Sequence, residues 1–194
     1  MNKFDFVISQ IVSEIKDEKP KVRADAIKAL QTVVNMDASV LMKQYVQMGI
    51  RERTVDSFPS VRESVIDFIG NAMLTMKRFD DFYVKIILER VKDTSKSVRK
   101  KSINILGEIC SFISDDTVIT EVCKTLASRL NHQNKEEDNI KELVLKTFTK
   151  LWFDKNTSEK LKISGLQMVD VIGKQAVDFK QYKDHWLYQL IFVS

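Results

Sequence analysis

The chain has 194 residues, 44% hydrophobic and 30% charged, a balance that excludes a disordered polypeptide. Only five glycines and two prolines occur, which argues against a sheet-rich fold and favours helices joined by short loops. Lysine and arginine total 31 against 27 acidic residues, a formal charge of +4 that permits contact with nucleic acid without demanding it.

Helical periodicity governs the chain from its start. Phe4, Val7, Ile8, Ile11, Val12 and Ile15 share one face and predict a first helix from Phe4 to Lys16. Asp17 to Pro20 makes a turn, and Pro20 suits the first turn of the next helix. That helix carries Val22, Ala26, Ile27, Leu30, Val33 and Val34. A third helix is expected from Ala38 or Ser39 to Arg53, with Asp37 or Ser39 as its cap. The fourth starts near Pro59 and turns Val61, Val65, Ile66, Phe68, Ile69, Ala72, Met73 and Met76 inward.

The fifth helix is expected over Phe79–Lys92, the sixth over Lys96–Phe112 and the seventh over Asp116–Leu130. Residues 131–139 are wholly polar and read as an exposed insertion between two helices. An eighth helix follows through Leu143, Val144, Phe148, Leu151 and Trp152. Beyond Thr157 come another helix and a segment rich in aromatics, with Leu190 to Val193 at its end and no polar cap, as expected of a fragment of a longer array or of a final helix that packs on another body. The helices group into hairpins over 4–36, 38–76, 79–113, 115–153 and 157–194.

A short phrase recurs at the elbows of these hairpins. Asp56 precedes Val61-Arg62, Asp93 precedes Val98-Arg99, and a weaker copy links Asp17 to Val22-Arg23. Successive valines lie 39 and then 37 residues apart, and Ile140-Lys141 follows 42 residues after Val98. A period of that length is the mark of stacked helical hairpins. The fold class is therefore all-α, a right-handed superhelical solenoid of antiparallel hairpins forming one repeat array over 1–194.

The elbow Asp, Ser and Thr side chains are placed to accept hydrogen bonds from the free N–H groups of each second helix. The valines should pack inward. Stacking at about 10 Å brings each arginine to the elbow aspartate of a neighbouring repeat. A structural ladder of bidentate pairs would then join Asp17, Arg23, Asp56, Arg62, Asp93, Arg99 and Lys141. The alternative is a stripe of arginines on duplex phosphates. Better phosphate candidates are the less matched cations Lys19, Lys21, Lys96, Lys100 and Lys101. Even there, a solvated helix face is the simpler reading. Arg51 and Arg53 read as charge placed at a helix C-terminus.

These elbows resemble HEAT repeats, and a narrower resemblance follows. Lys28 to Val34, Asp37 to Leu41, Ser60 to Val65, Leu88 to Thr94, Ser97 to Lys100, Ile105 to Cys110 and Phe148 to Phe153 together resemble the cohesin loader family known as Nipped-B. The ordered likeness covers roughly 17–153. It implies an internal segment of a hook-shaped solenoid that loads cohesin onto chromosomes, stimulates the cohesin ATPase and binds DNA. It also implies a nuclear, chromosomal setting, with cohesin complex subunits and double-stranded DNA as the partners to consider. The enlarged loop at 131–139 departs from the family pattern and puts any partner contact made there in doubt.

Enzyme chemistry finds little support. His132 and His185 are the two histidines, and neither stands in a metal-binding spacing. No glycine-rich phosphate loop or nucleophile elbow occurs, so no catalytic residue, metal, cofactor or small-molecule substrate is expected. Cys110 and Cys123 lie outside any CxxC motif and read as buried small hydrophobes in a reducing compartment. No run of 18 apolar residues exists, so no membrane span is expected. No secretory signal pattern opens the chain. The remaining alternative is a generic protein-binding HEAT scaffold without DNA contact.

Overall fold

The computed structural model describes residues 3–76, 81–113, 115–130 and 136–153. Among the described residues there is no strand. Eight α-helices follow one another there: α1 (Lys3–Glu14), α2 (Pro20–Met36), α3 (Gln44–Arg53), α4 (Pro59–Met76), α5 (Asp81–Arg90), α6 (Lys96–Cys110), α7 (Asp116–Ala127) and α8 (Asp138–Phe153). The chain divides into two compact units, Met1–Ser102 and Ile103–Ser194, with the division inside α6. The hairpin expected over 157–194 lies outside the described residues, as does the start of the 131–139 insertion.

In the first unit α2 packs mainly on α4, α1 on α2, and α3 on both α4 and α1. Lys43 meets Asp5 at 3.0 Å and Lys16 meets Glu52 at 3.3 Å. Between them, Gly49 lies against Val12. Positions rise together along both helices, so α1 and α3 run parallel. The core is built from Ile8, Val12 and Ile15 of the first hairpin with Ile27, Leu30 and Val34, then Val46, Ile50, Val61, Val65, Ile66, Phe68 and Ile69. Burial of this apolar surface is the main stabilising term.

Three expectations are corrected here. Phe4 and Val7 are 39% and 50% exposed, so α1 buries a narrower stripe than its periodicity implies. The third helix is not continuous from Ala38. Asp37 accepts the Ser39 N–H at 2.9 Å and opens a 3₁₀ turn over Ala38–Met42, which buries the adjacent Val40 and Leu41 together. Lys43 is then extended (φ −72°, ψ 120°), and α3 starts afresh at Gln44. The seventh helix likewise ends at Ala127 and tightens into a 3₁₀ turn over Ser128–Leu130.

In the second unit Ile103, Leu106, Ile109 and Cys110 of α6, Ile119, Val122, Cys123 and Leu126 of α7, and Ile140, Val144 and Phe148 of α8 are buried. Gly107 permits the close approach of α8. A Cβ at that position would lie 2.7 Å from Thr147 Cγ2. Burial pushes the Cys123 thiol up to about 12, and burial with the neighbouring Cys123 pushes Cys110 higher still. Both are free, buried thiols with no thiolate chemistry at neutral pH.

Candidate functional site

The elbows between paired helices carry the most organised polar chemistry among the described residues. Arg23 donates from Nε to Asp56 Oδ2 and from Nη2 to Asp56 Oδ1, each at 2.8 Å. Its Nη1 donates back to the carbonyls of Asp17 and Glu18, at 2.8 and 2.9 Å. Arg62 repeats the arrangement one hairpin later. It grips Asp93 Oδ2 and Oδ1 at 2.8 and 2.7 Å, and its Nη1 serves the carbonyls of Asp56 and Ser57. Each guanidinium thus closes its own elbow and clamps the next one.

All four charges of these two pairs are buried, with side-chain exposures of 8% or less. Each carboxylate is satisfied on every side. Asp56 also takes the Phe58 N–H at 3.0 Å and Arg53 Nη1 at 3.1 Å. Asp93 takes the Ser95 N–H at 2.8 Å and lies 3.5 Å from Arg90 Nη1. Burial by itself would raise both carboxyl pKa values. The hydrogen bonds from Arg23 and the Phe58 N–H, with the charges of Arg23 and Arg53, outweigh it and hold Asp56 below the usual carboxylate range. Arg62, the Ser95 N–H and Arg90 do the same for Asp93. The Asp93 hydrogen bond raises the Arg62 pKa in return.

Arg53 and Arg90 are the residues that the sequence reading missed. Arg53 stands in the last turn of α3 and also serves the elbow carboxylate. The signal was present as Arg-x-x-Asp at 53–56 and again at 90–93. Arg90 also donates to the Thr54 carbonyl at 3.2 Å, tying the α5 end to the α3 end. Arg51 stands apart, over the Phe82 ring at 5.6 Å.

Other proposed ladder members behave differently. Asp17 is half-exposed and its Oδ1 accepts the Lys19 N–H at 2.7 Å; Arg23 reaches only its carbonyl. Arg99 Nη1 donates to the carbonyls of its own elbow, Asp93 and Thr94. Lys141 lies 3.7 Å from Asp138 on its own helix, an exposed contact outside the ladder geometry. Val61 and Val98 are fully buried, whereas Val22 is only half-buried.

The phosphate candidates separate as well. Lys19 and Lys21 are exposed at the first elbow, and Lys96 and Lys100 are half-buried at the third. Lys101 pairs with Asp67 of α4, and Ser97 donates to Glu63 one turn earlier. Between the two clusters the second elbow presents Ser57, Phe58, Pro59 and Ser60, all exposed and uncharged. The cations therefore form two separate clusters along this edge.

Of the polar run ahead of α8, the described residues begin at Glu136, and this one departs from the exposed reading. Glu136 is buried and accepts from Arg129, with Nε at 2.8 Å. Glu137, Asp138 and Asn139, which follow it, are exposed as the polar run implies. His132 and His185 lie outside the described residues. Among the described residues no cluster of His, Cys, Asp and Glu is placed to hold a metal, and no helix is long and apolar enough to cross a membrane.

An all-α repeat whose organised polar groups are used on its own stacking defines a helical-repeat scaffold protein. A family model described as "Sister chromatid cohesion protein PDS5 protein" matches residues 7–181. Nipped-B-like protein A of Danio rerio is 36% identical over 176 residues, covering 88% of this chain and 7% of its own length. Nipped-B-like protein of Mus musculus is 35% identical over 173 residues, covering 88% of this chain and 6% of its own. The Chaetomium thermophilum cohesin loader SCC2, C-terminal fragment, shares the fold at a TM-score of 0.71 and 19% identity, over 96% of this chain and 15% of that one. The chain belongs to this sister chromatid cohesion family, and the resemblance to Nipped-B read from its sequence is shown by the same matches.

Proposed function

We propose that this chain is a non-enzymatic segment of a cohesin-loading solenoid, acting in the nucleus on chromosomes. Its part is to hold a fixed run of hairpins against which cohesin complex subunits and double-stranded DNA are engaged. The observation that carries this reading is the pair of buried arginine–aspartate clamps, Arg23–Asp56 and Arg62–Asp93. Groups so fully used inside the stack cannot also neutralise phosphate. They make the elbow edge stiff, and stiffness is what a spacing element needs. The likeness to the Nipped-B-like proteins supplies the cohesion context.

On this reading DNA contact belongs to Lys19, Lys21, Lys96 and Lys100, which would give affinity and registration but no base readout. Lys101 is tied to Asp67 and contributes less. A second reading, a protein-binding scaffold without DNA contact, gains from the uncharged second elbow at Phe58-Pro59, which interrupts the basic edge. A duplex DNA titration at two salt concentrations separates them. The four-site change of Lys19, Lys21, Lys96 and Lys100 to Glu should weaken binding and reduce the salt slope by about one for each lysine–phosphate pair removed. Binding that is absent, or unaffected by salt and by the substitutions, favours the protein scaffold.

A further inference from the structure

The first helices of the hairpins carry an aromatic row that the clamps do not use. Phe6 of α1, Tyr45 of α3 and Phe82 of α5 each stand 16 residues ahead of an elbow valine, Val22, Val61 and Val98. One repeat position is therefore aromatic in three successive hairpins. Phe6 is 51% exposed, Tyr45 is 39% exposed and Phe82 is half-buried. Helix α3 turns Val46 and Ile50 inward and leaves Tyr45 and, one turn on, Met48 outside.

Contacts link the row from helix to helix. Tyr45 lines an open cleft with Asp5, Ser9 and Lys43, so its ring stands beside α1, and Ser9 Oγ donates to the Phe6 carbonyl at 2.7 Å. The Arg51 guanidinium lies 5.6 Å from the Phe82 ring centre and joins α3 to α5. Helices packed about 8–10 Å apart set the rings at about that spacing. Charge on this side is unbalanced. Asp5, Glu52 and Glu89 are each paired, with Lys43 at 3.0 Å, Lys16 at 3.3 Å and Arg90 at 3.6 Å. Among the described residues Arg51 and Lys85 have no carboxylate partner.

We propose that this row docks an extended, proline-rich and acidic segment of a partner protein. A polyproline II chain has about three residues per turn and rises about 3.1 Å per residue, so it repeats about every 9 Å. That repeat matches the ring spacing, and a proline at every third residue meets successive rings. An α-helix, with a pitch of about 5.4 Å, has no such match. The preformed backbone loses little entropy on docking. Arg51 and Lys85 face the acids between the prolines, and Met48 supplies an adaptable wall. None of these residues belongs to the lysine clusters proposed for DNA contact, so the two readings stand or fall separately.

The probe is a fluorescein-labelled peptide of four Pro-Pro-Glu repeats, titrated into the full chain and read by anisotropy. It should bind. Phe6→Ala with Tyr45→Ala should weaken binding roughly tenfold or more, with helical circular dichroism unchanged because both side chains are exposed. Lys85→Glu, at an exposed position, should weaken it about 2–5-fold. A Gly-Gly-Glu peptide keeps the charge without the stiff backbone, and a Pro-Pro-Lys peptide reverses the charge; each should bind about tenfold more weakly. At about 0.15 M salt, where charges more than about 8 Å away are largely screened, changing Lys19, Lys21, Lys96 and Lys100 to Glu should leave peptide binding unchanged. No binding, equal binding of the glycine or lysine peptide, or binding that survives the loss of both rings would overturn the inference. Binding lost only in the four-lysine variant would assign the peptide to the basic elbow edge and overturn it as well.

Discussion

The elbows at Asp56 and Asp93 and the elbow ahead of α8 bury an acidic group by different routes. At the first two, an arginine three residues upstream meets the aspartate inside a tight turn, and an arginine from the preceding hairpin completes the clamp. Ahead of α8 the arginine stands seven residues from the acid, and the acid is the longer Glu136. A longer connection needs a longer arm. The chemistry of a guanidinium on a buried carboxylate is kept while the sequence phrase that announces it is lost. A buried charge in either place is tolerable only when fully paired.

The sharpest way to break this comparison is to remove one side of a clamp. Arg62→Ala leaves Asp93 buried without its bidentate partner and should cost about 3–5 kcal/mol in urea unfolding. Arg62→Lys should not restore it, because an ammonium cannot make the two parallel bonds.

Acid should act on the same clamps. The folded-state pKa values of Asp56 and Asp93 are depressed, so their stabilisation is complete above the unfolded carboxyl pKa of about 3.9. It is lost as pH falls below that value and through the folded-state pKa. Urea midpoints measured down this range should fall, and the fall should shrink in an Asp56→Asn, Asp93→Asn double variant.

The fourth elbow should show a smaller version of the Arg62 effect. Arg129→Ala removes charge-assisted bonds to Glu136 and is expected to cost about 1.5–3 kcal/mol. Gly107→Ala probes the packing that lets α8 approach α6, at about 1–3 kcal/mol from the clash with Thr147. Adding Thr147→Ser, which deletes the clashing methyl, should recover part of that loss. The smallest effect falls at the first elbow. Asp17→Asn should change stability by about 1 kcal/mol or less in the chain alone, since among the described residues Asp17 holds one main-chain N–H and no guanidinium.

Particular residues show how far the sequence carries. The phrase Asp–Val-Arg is legible because a stack repeats its contacts at each period, and the contact that fixes the period must recur in the chain. That is why the sequence assigns Arg23 and Arg62 to the elbow aspartate of a neighbouring repeat. Arg53 and Arg90 were less legible because a charge in the last turn of a helix has an equally good reading as a partner for the helix end. Glu136 was illegible: an acidic run gives no hint of which carboxylate turns inward. Lys101 looked like an open cation because Asp67, 34 residues away, carries no mark linking the two. Phe4 and Val7 fit a helical period perfectly well, yet periodicity does not say which part of an apolar stripe the chain itself covers.

The central claim is that the elbow arginines are stacking groups, coupled in pairs across successive hairpins. A double-mutant cycle on Arg62→Ala and Asp93→Ala, read by urea unfolding, tests it most directly. The predicted result is a coupling energy of about 2 kcal/mol or more. Losses that add to within about 0.5 kcal/mol would contradict it, because independent residues do not form a clamp.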